Sequence, residues 1–240
     1  IPPTNVSNCA TLTVNPNPNI AVTPVGPVCG GVASINGTPL TVTSASPPVP
    51  GNASANSGVI NVPIPDGTGS AATSNLTIAG VPANATITEI KVNMNINHTW
   101  VGDVDVNLRA PNLAILNLVG QLDGGTGSNA SDNFTNTTFS SLGGTPISGA
   151  PAPRTGTFAA EARAGFGPIG FIQTVATWTG LVPTLTPLAA NGQWTLAAGD
   201  FVLTDAGTIT NWSISVDYTT PGSGTQVLSY AWSPLAGLYI

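Results

Sequence analysis

The sequence predicts an all-β fold, and three observations carry that expectation. Apolar and polar residues alternate over residues 90–100, the period of a strand with one buried face. Short runs of the same kind recur along the chain, each bounded by Gly, Pro, Asn or Asp. No window carries an apolar period of 3.6 residues over the length of a helix.

In chain order, strand signals at residues 10–14 and 20–23 flank Asn15-Pro16-Asn17-Pro18, a third follows at 40–43, and residues 47–50 read as a proline-rich linker. These pieces are too thin for a core of their own. Ile60, Val62 and Ile64, then Leu76 and Ile78, mark the next strands. Ile90, Val92, Met94, Ile96, His98 and Trp100 share one face of the longest run, and Lys91, Asn93, Asn95, Asn97 and Thr99 the other. A turn at Val101-Gly102 leads to Val104, Val106 and Leu108 on one face and Asp103, Asp105, Asn107 and Arg109 on the other, until Pro111 stops the ladder. The two runs are expected to pair as a hairpin. Residues 113–119 form a further strand, and residues 119–193, rich in Gly, Ser, Thr and Pro, read as a long functional or ligand-stabilised loop. Strands return at Trp194 and Leu196, and at Trp212, Ile214, Val216 and Tyr218, whose opposite face holds Thr210, Asn211, Ser213, Ser215 and Asp217. Residues 219–240 open with a Pro-Gly-Ser-Gly linker and offer one aromatic strand, Tyr230-Ala231-Trp232. Many short, turn-punctuated strands imply a sandwich or jelly roll.

Composition narrows the function. Charged residues are 6% of the 240, with a net charge of -6, against roughly 25% charged in an average soluble protein. Lys91, Arg109, Arg154 and Arg163 are the whole basic complement, too few and too scattered to grip phosphates, which argues against nucleic acid and anionic membrane surfaces. No apolar run approaches the roughly 18 residues of a membrane span. With 41% hydrophobic residues the chain is expected to fold. A surface so poor in charge needs another safeguard against aggregation, either glycans or neighbouring copies. Asn-x-Ser/Thr sequons begin at Asn5, Asn36, Asn52, Asn75, Asn84, Asn97, Asn129, Asn133, Asn136 and Asn211, although a chain this rich in Asn, Ser and Thr also produces them by chance.

Cys9 and Cys29 are too few for a Cys-based zinc site and wrongly spaced for a Cys-x-x-Cys redox pair. A disulfide is the simple reading, worth about 3 kcal/mol in an oxidising compartment; two free buried thiols are the alternative. No signal peptide is evident, and the opening Ile1-Pro2-Pro3 suits a processed or excised segment.

Several motifs stand in a telling order: Ser74-Asn75-Leu76-Thr77-Ile78, Ile87-Thr88-Glu89-Ile90-Lys91-Val92, His98-Thr99-Trp100-Val101-Gly102-Asp103-Val104 and Leu108-Arg109-Ala110-Pro111-Asn112. Gly156-Thr157-Phe158, Asn191-Gly192-Gln193-Trp194-Thr195-Leu196, Asp200, Asp205-Ala206-Gly207-Thr208-Ile209 and Trp212-Ser213 follow. Together they resemble the P domain (P/Homo B) of proprotein convertases over about residues 57–218. The resemblance implies a jelly-roll-like β-sandwich, often calcium-bound in bacterial members. The chain departs from the family where the usual Arg-Pro-Glu after Gly-Thr-Phe is Ala159-Ala160-Glu161, so the loop that follows is expected to have changed role. The flanks resemble parts of immunoglobulin-like repeats of Bacteroidetes-type surface proteins: Cys9-Ala10-Thr11-Leu12-Thr13-Val14-Asn15-Pro16 the end of one, Tyr230-Ala231-Trp232-Ser233-Pro234-Leu235-Ala236-Gly237-Leu238 the start of another. The implied division is a partial immunoglobulin-like segment and linker at 1–50, the P domain at 51–218, and a linker and strand of a further unit at 219–240.

No catalytic constellation is visible. The single histidine, His98, lies on the apolar face of a strand, and no Gly-x-Ser-x-Gly elbow presents a nucleophile. The run Gly165-Phe166-Gly167-Pro168-Ile169-Gly170 matches a dinucleotide-binding pattern but lacks its strand and helix. Calcium is the one expected ligand, since hard cations need several oxygens and the carboxylates gather near loops. The candidates are Asp103, Asp105, Asp123, Asp132 and Asn133, with Asn129 beside them; turn-forming roles alone account for Asp66, Asp200 and Asp205.

The expected function is a non-catalytic structural or adhesive module of a secreted cell-surface protein, or a subunit of an extracellular fibre joined by strand addition between copies. Self-association or neighbouring domains would then be the partners. Two alternatives stand beside it: an accessory P domain of a secreted subtilisin-like protease, and a carbohydrate-binding sandwich using Trp100 and Trp178.

Overall fold

The computed structural model of the chain describes residues 46–122, 133–151, 153–185 and 187–222. Cys9, Cys29, Asp123, Asn129 and Asp132 lie outside the described residues, as does most of both expected immunoglobulin-like segments.

The described strands are β1 (Ser46–Asn56), β2 (Val62–Ile64), β3 (Ala72–Ile78), β4 (Thr86–His98), β5 (Val104–Arg109), β6 (Ile115–Gly120), β7 (Phe134–Ser140), β8 (Thr145–Pro146), β9 (Gly156–Ala159), β10 (Gly192–Asp200) and β11 (Gly207–Gly222). They form two sheets, one in the order β1-β11-β4-β7-β9-β8 with β2 also on β11, the other in the order β3-β10-β5-β6. Ile90, Val92, Met94 and Ile96 of β4 and Trp212, Ile214 and Val216 of β11 bury one face of the larger sheet. Val104, Val106 and Leu108 of β5, Leu116 and Leu118 of β6 and Trp194 and Leu196 of β10 belong to the same core. Two sheets meeting across one apolar layer make a β-sandwich. Trp212 Nε1 donates to Ser74 Oγ at 2.9 Å, tying β11 of one sheet to β3 of the other.

The structure changes the expected organisation at four places. β4 and β5 are not a hairpin: they belong to different sheets, and the turn Val101–Asp103 carries the chain between them. Alternation reports a buried face but not the neighbouring strand, and β4 pairs instead with β11 and β7. Trp100 lies past the end of β4 and is only partly buried. The long stretch 119–193 holds β7, β8 and β9 and two single-turn helices, Trp178–Leu181 and Pro187–Ala190. Its parallel β7–β9 and β8–β9 pairings are too short to leave a periodic signature. Residues 47–50 lie within β1, an edge strand, where proline's missing donor is tolerated.

Residues 160–175 cover the outer face of the smaller sheet. Glu161 N and Ala162 N donate to Leu118 O and Asn117 O, and Thr174 N and Val175 N to Ile115 O. This cover explains why all of β6 and nearly all of β5 are buried, including the polar row Asp105, Asn107 and Asn117. Among the described residues no helix is long and apolar enough to cross a membrane.

Candidate functional site

Two buried polar clusters are the places where chemistry could reside. The first is the corner at the end of β4. His98 is 2% exposed. Its Nδ1 accepts the Trp100 amide at 3.1 Å, which places the ring proton on Nε2, and Nε2 lies 3.4 Å from Asp200 Oδ2. The His98 amide donates to Asn133 Oδ1 at 2.9 Å, and the Asn133 amide returns a bond to His98 O at 3.2 Å. Val202 N donates to Asp200 Oδ1 at 3.1 Å. Burial raises the Asp200 pKa, against the Val202 amide and the nearby imidazole. Outside this corner, Thr99 Oγ1 donates to Asp205 Oδ1 at 2.7 Å, and Asn97, His98, Thr99, Asn133, Ala206, Gly207 and Thr208 line a shallow recess.

A general base must turn a free lone pair toward its substrate. His98 turns none: one nitrogen holds a backbone amide and the other faces a buried carboxylate. The corner has the chemistry of a structural clamp.

The second cluster lies beneath the 160–175 cover. Asp105, 1% exposed, accepts the Gly167 amide on Oδ2 at 2.8 Å. Burial pushes the Asp105 pKa up to about 6, opposed by the Gly167 and Gln121 amides and the Arg163 guanidinium. Asn107 Nδ2 donates to Phe166 O at 3.0 Å and Phe171 O at 2.6 Å, and Asn117 Nδ2 to Asn107 Oδ1 at 2.7 Å. Glu161 Oε2 accepts the Gly120 amide at 3.1 Å, and burial raises its pKa. Arg163 stacks 4.0 Å from the Phe166 ring and donates to the carbonyls of Gly120 and Gln121.

Of the expected calcium ligands, Asp103 and Asp105 are buried at the start of β5 and Asn133 sits at the His98 corner with its Oδ1 already taken. Among the described residues no three His, Cys, Asp or Glu side chains converge as a metal site would require. Asn107, Asn117, Glu161 and Arg163 escaped sequence reasoning. The one signal for Asn107 is a polar row alternating with apolar residues in β5, which reads equally well as a solvated face; Asn117, Glu161 and Arg163 leave none.

Residues 87–150, a span from β4 to just beyond β8, match the family model described as the proprotein convertase P-domain. Leupeptin-inactivating enzyme 1 of Streptomyces exfoliatus is 34% identical over 119 residues, 45% of this chain and 26% of that protein. The chain thus spans about a quarter of that relative's length. A serine protease of Aeromonas sobria aligns over 72% of this chain and 27% of its own at 13% identity and a TM-score of 0.37. The same organism's serine protease in complex with its chaperone aligns over 73% and 28% at 14% identity and a TM-score of 0.37.

Proposed function

We propose that the described β-sandwich is a non-catalytic accessory P domain of a secreted protease of the subtilisin-like kind, stabilising a catalytic unit elsewhere in the same polypeptide. The P-domain match over residues 87–150 is the observation that carries this reading. It is supported by the single histidine of the chain, whose two ring nitrogens both face partners inside the fold. The surface-adhesin and fibre reading rests on the two ends of the chain, most of which lie outside the described residues, and no observation favours it. The carbohydrate reading loses Trp178, which is buried.

The test uses the full-length secreted product, intact and with residues 46–222 deleted. Casein hydrolysis by the intact product, faster thermal inactivation after deletion, and labelling by a serine-directed fluorophosphonate are the expected results. A full-length product without proteolytic activity would end the reading. Calcium is a separate proposal, supported by the two buried carboxylates Asp103 and Asp105 close together in the chain; equal melting temperatures in calcium and in EDTA would end it.

A further inference from the structure

Among the described strands β6 pairs with β5 alone, and residues 160–175 occupy its other edge. The Ile115 amide donates to Thr174 Oγ1 at 2.8 Å, and the Ile115 carbonyl accepts the Thr174 and Val175 amides. Further along, the carbonyls of Asn117 and Leu118 accept the Ala162 and Glu161 amides, and the Gly120 amide donates to Glu161 Oε2. The edge so covered is Ile-Leu-Asn-Leu-Val-Gly, buried throughout, with no charge and no proline. An apolar, uncharged strand of this length pairs readily with other chains when its edge is bare.

The cover is fastened differently from the sandwich. Of residues 160–175 only Gly167 and Pro168 are buried, and Ala160, Ala162 and Val175 pack against the core only in part. The segment is held by hydrogen bonds to β6, to Gly69 and to the side chains of Asp105, Asn107 and Asn117. Buried Phe158 and Trp178 anchor the chain just outside its two ends. A segment rich in hydrogen bonds but poor in buried apolar contacts opens at a lower free energy than the core beside it.

We propose that residues 160–175 open as one unit while the sandwich stays folded, and that their closure is what keeps the edge of β6 from pairing with other chains. The anchors at Phe158 and Trp178 let the segment lift and return to the same place. Opening takes the outward partners from Ile115, Asn117, Leu118 and Gly120 together, because all of them lie in this one segment.

Native-state hydrogen exchange on the full 240-residue chain tests the opening. The Ala162, Gly167, Thr174 and Val175 amides are expected to share one protection factor, at least about tenfold below that of the core amides of β4, β10 and β11. The Ile115 and Gly120 amides face the cover and are expected to exchange with it. Leu116, which alternates toward β5, should keep the slow exchange of the core. Cover amides that exchange only with the core overturn the proposal.

Sedimentation of Gly167→Ala, whose cover is lifted, tests the shielding. This variant is expected to self-associate at concentrations where the wild type does not. Adding Ile115→Lys is expected to abolish the association while the cover amides stay fast, since a lysine on a bare edge opposes pairing. Should Gly167→Ala fail to fold, Thr174→Val removes the acceptor of the Ile115 amide and gives the same two readouts. An open cover without self-association overturns the shielding role, and so does association that persists with the lysine in place.

Discussion

His98 Nε2 and Asp200 Oδ2 lie 3.4 Å apart with neither side chain exposed, joining the end of β4 to the end of β10. Gly207 opens β11 beside the ring, and a Cβ there would collide with His98 Cδ2. The ring cannot yield, because the Trp100 amide holds Nδ1. Gly207→Ala should therefore destabilise the fold by about 1–3 kcal/mol, the usual range for overpacking. Urea unfolding measures it, and His98→Ala combined with Gly207→Ala should cost less than the sum of the two single changes.

Asp105 sets a dependence on pH. Its folded pKa of about 6 lies above the ordinary 3.8, so the folded state binds the proton more tightly than the unfolded state does. Stability is then greatest below about 4 and falls as pH rises through about 6, by about 2–3 kcal/mol from a shift of this size. Burial raises Asp200 and Glu161 in the same direction. Melting temperatures should be higher at pH 5 than at pH 7.5, and Asp105→Asn should flatten the profile and raise the melting temperature at pH 7.5. An unchanged profile in that variant would show that Asp105 is not the group responsible.

The 160–175 cover depends on Gly167. Its φ of +140° is disfavoured for any side chain, and a Cβ would collide with Asn107 Nδ2 and the Phe171 carbonyl. Gly167→Ala should lift the cover without unfolding the sandwich. Limited proteolysis should then cut within residues 160–175 several-fold faster, while the far-UV circular dichroism spectrum stays unchanged.

The sequence made the strands legible wherever one face was buried and the other wet: Ile90, Val92, Met94 and Ile96 were placed on the core face and are fully buried there. It misled where both faces are covered. Asp105 and Asn107 alternate with valine as a solvated row would, yet a segment some 60 residues later lies over them. Pairing was equally hidden, because the choice of β11 and β7 over β5 as neighbours of β4 depends on long-range closure and not on local period.

The turn between β5 and β6 offers a stabilising change. Leu113 N donates to Ala110 O at 2.9 Å, Ala110 N to Ala114 O at 2.8 Å, and Ala114 N to Asn112 Oδ1 at 3.1 Å. This closure forces Leu113 to a φ of +68°, where a Cβ costs roughly 1–2 kcal/mol and glycine is the usual residue. The side chain is 69% exposed, so little burial would be lost by removing it. Relief of strain is partly offset by the greater freedom of glycine in the unfolded chain, worth about 0.4–1 kcal/mol. Leu113→Gly should therefore stabilise the fold by about 0.5 kcal/mol, read as a higher urea midpoint with an unchanged slope. A lower midpoint would mean that Leu113 makes contacts in solution that outweigh the strain of its backbone.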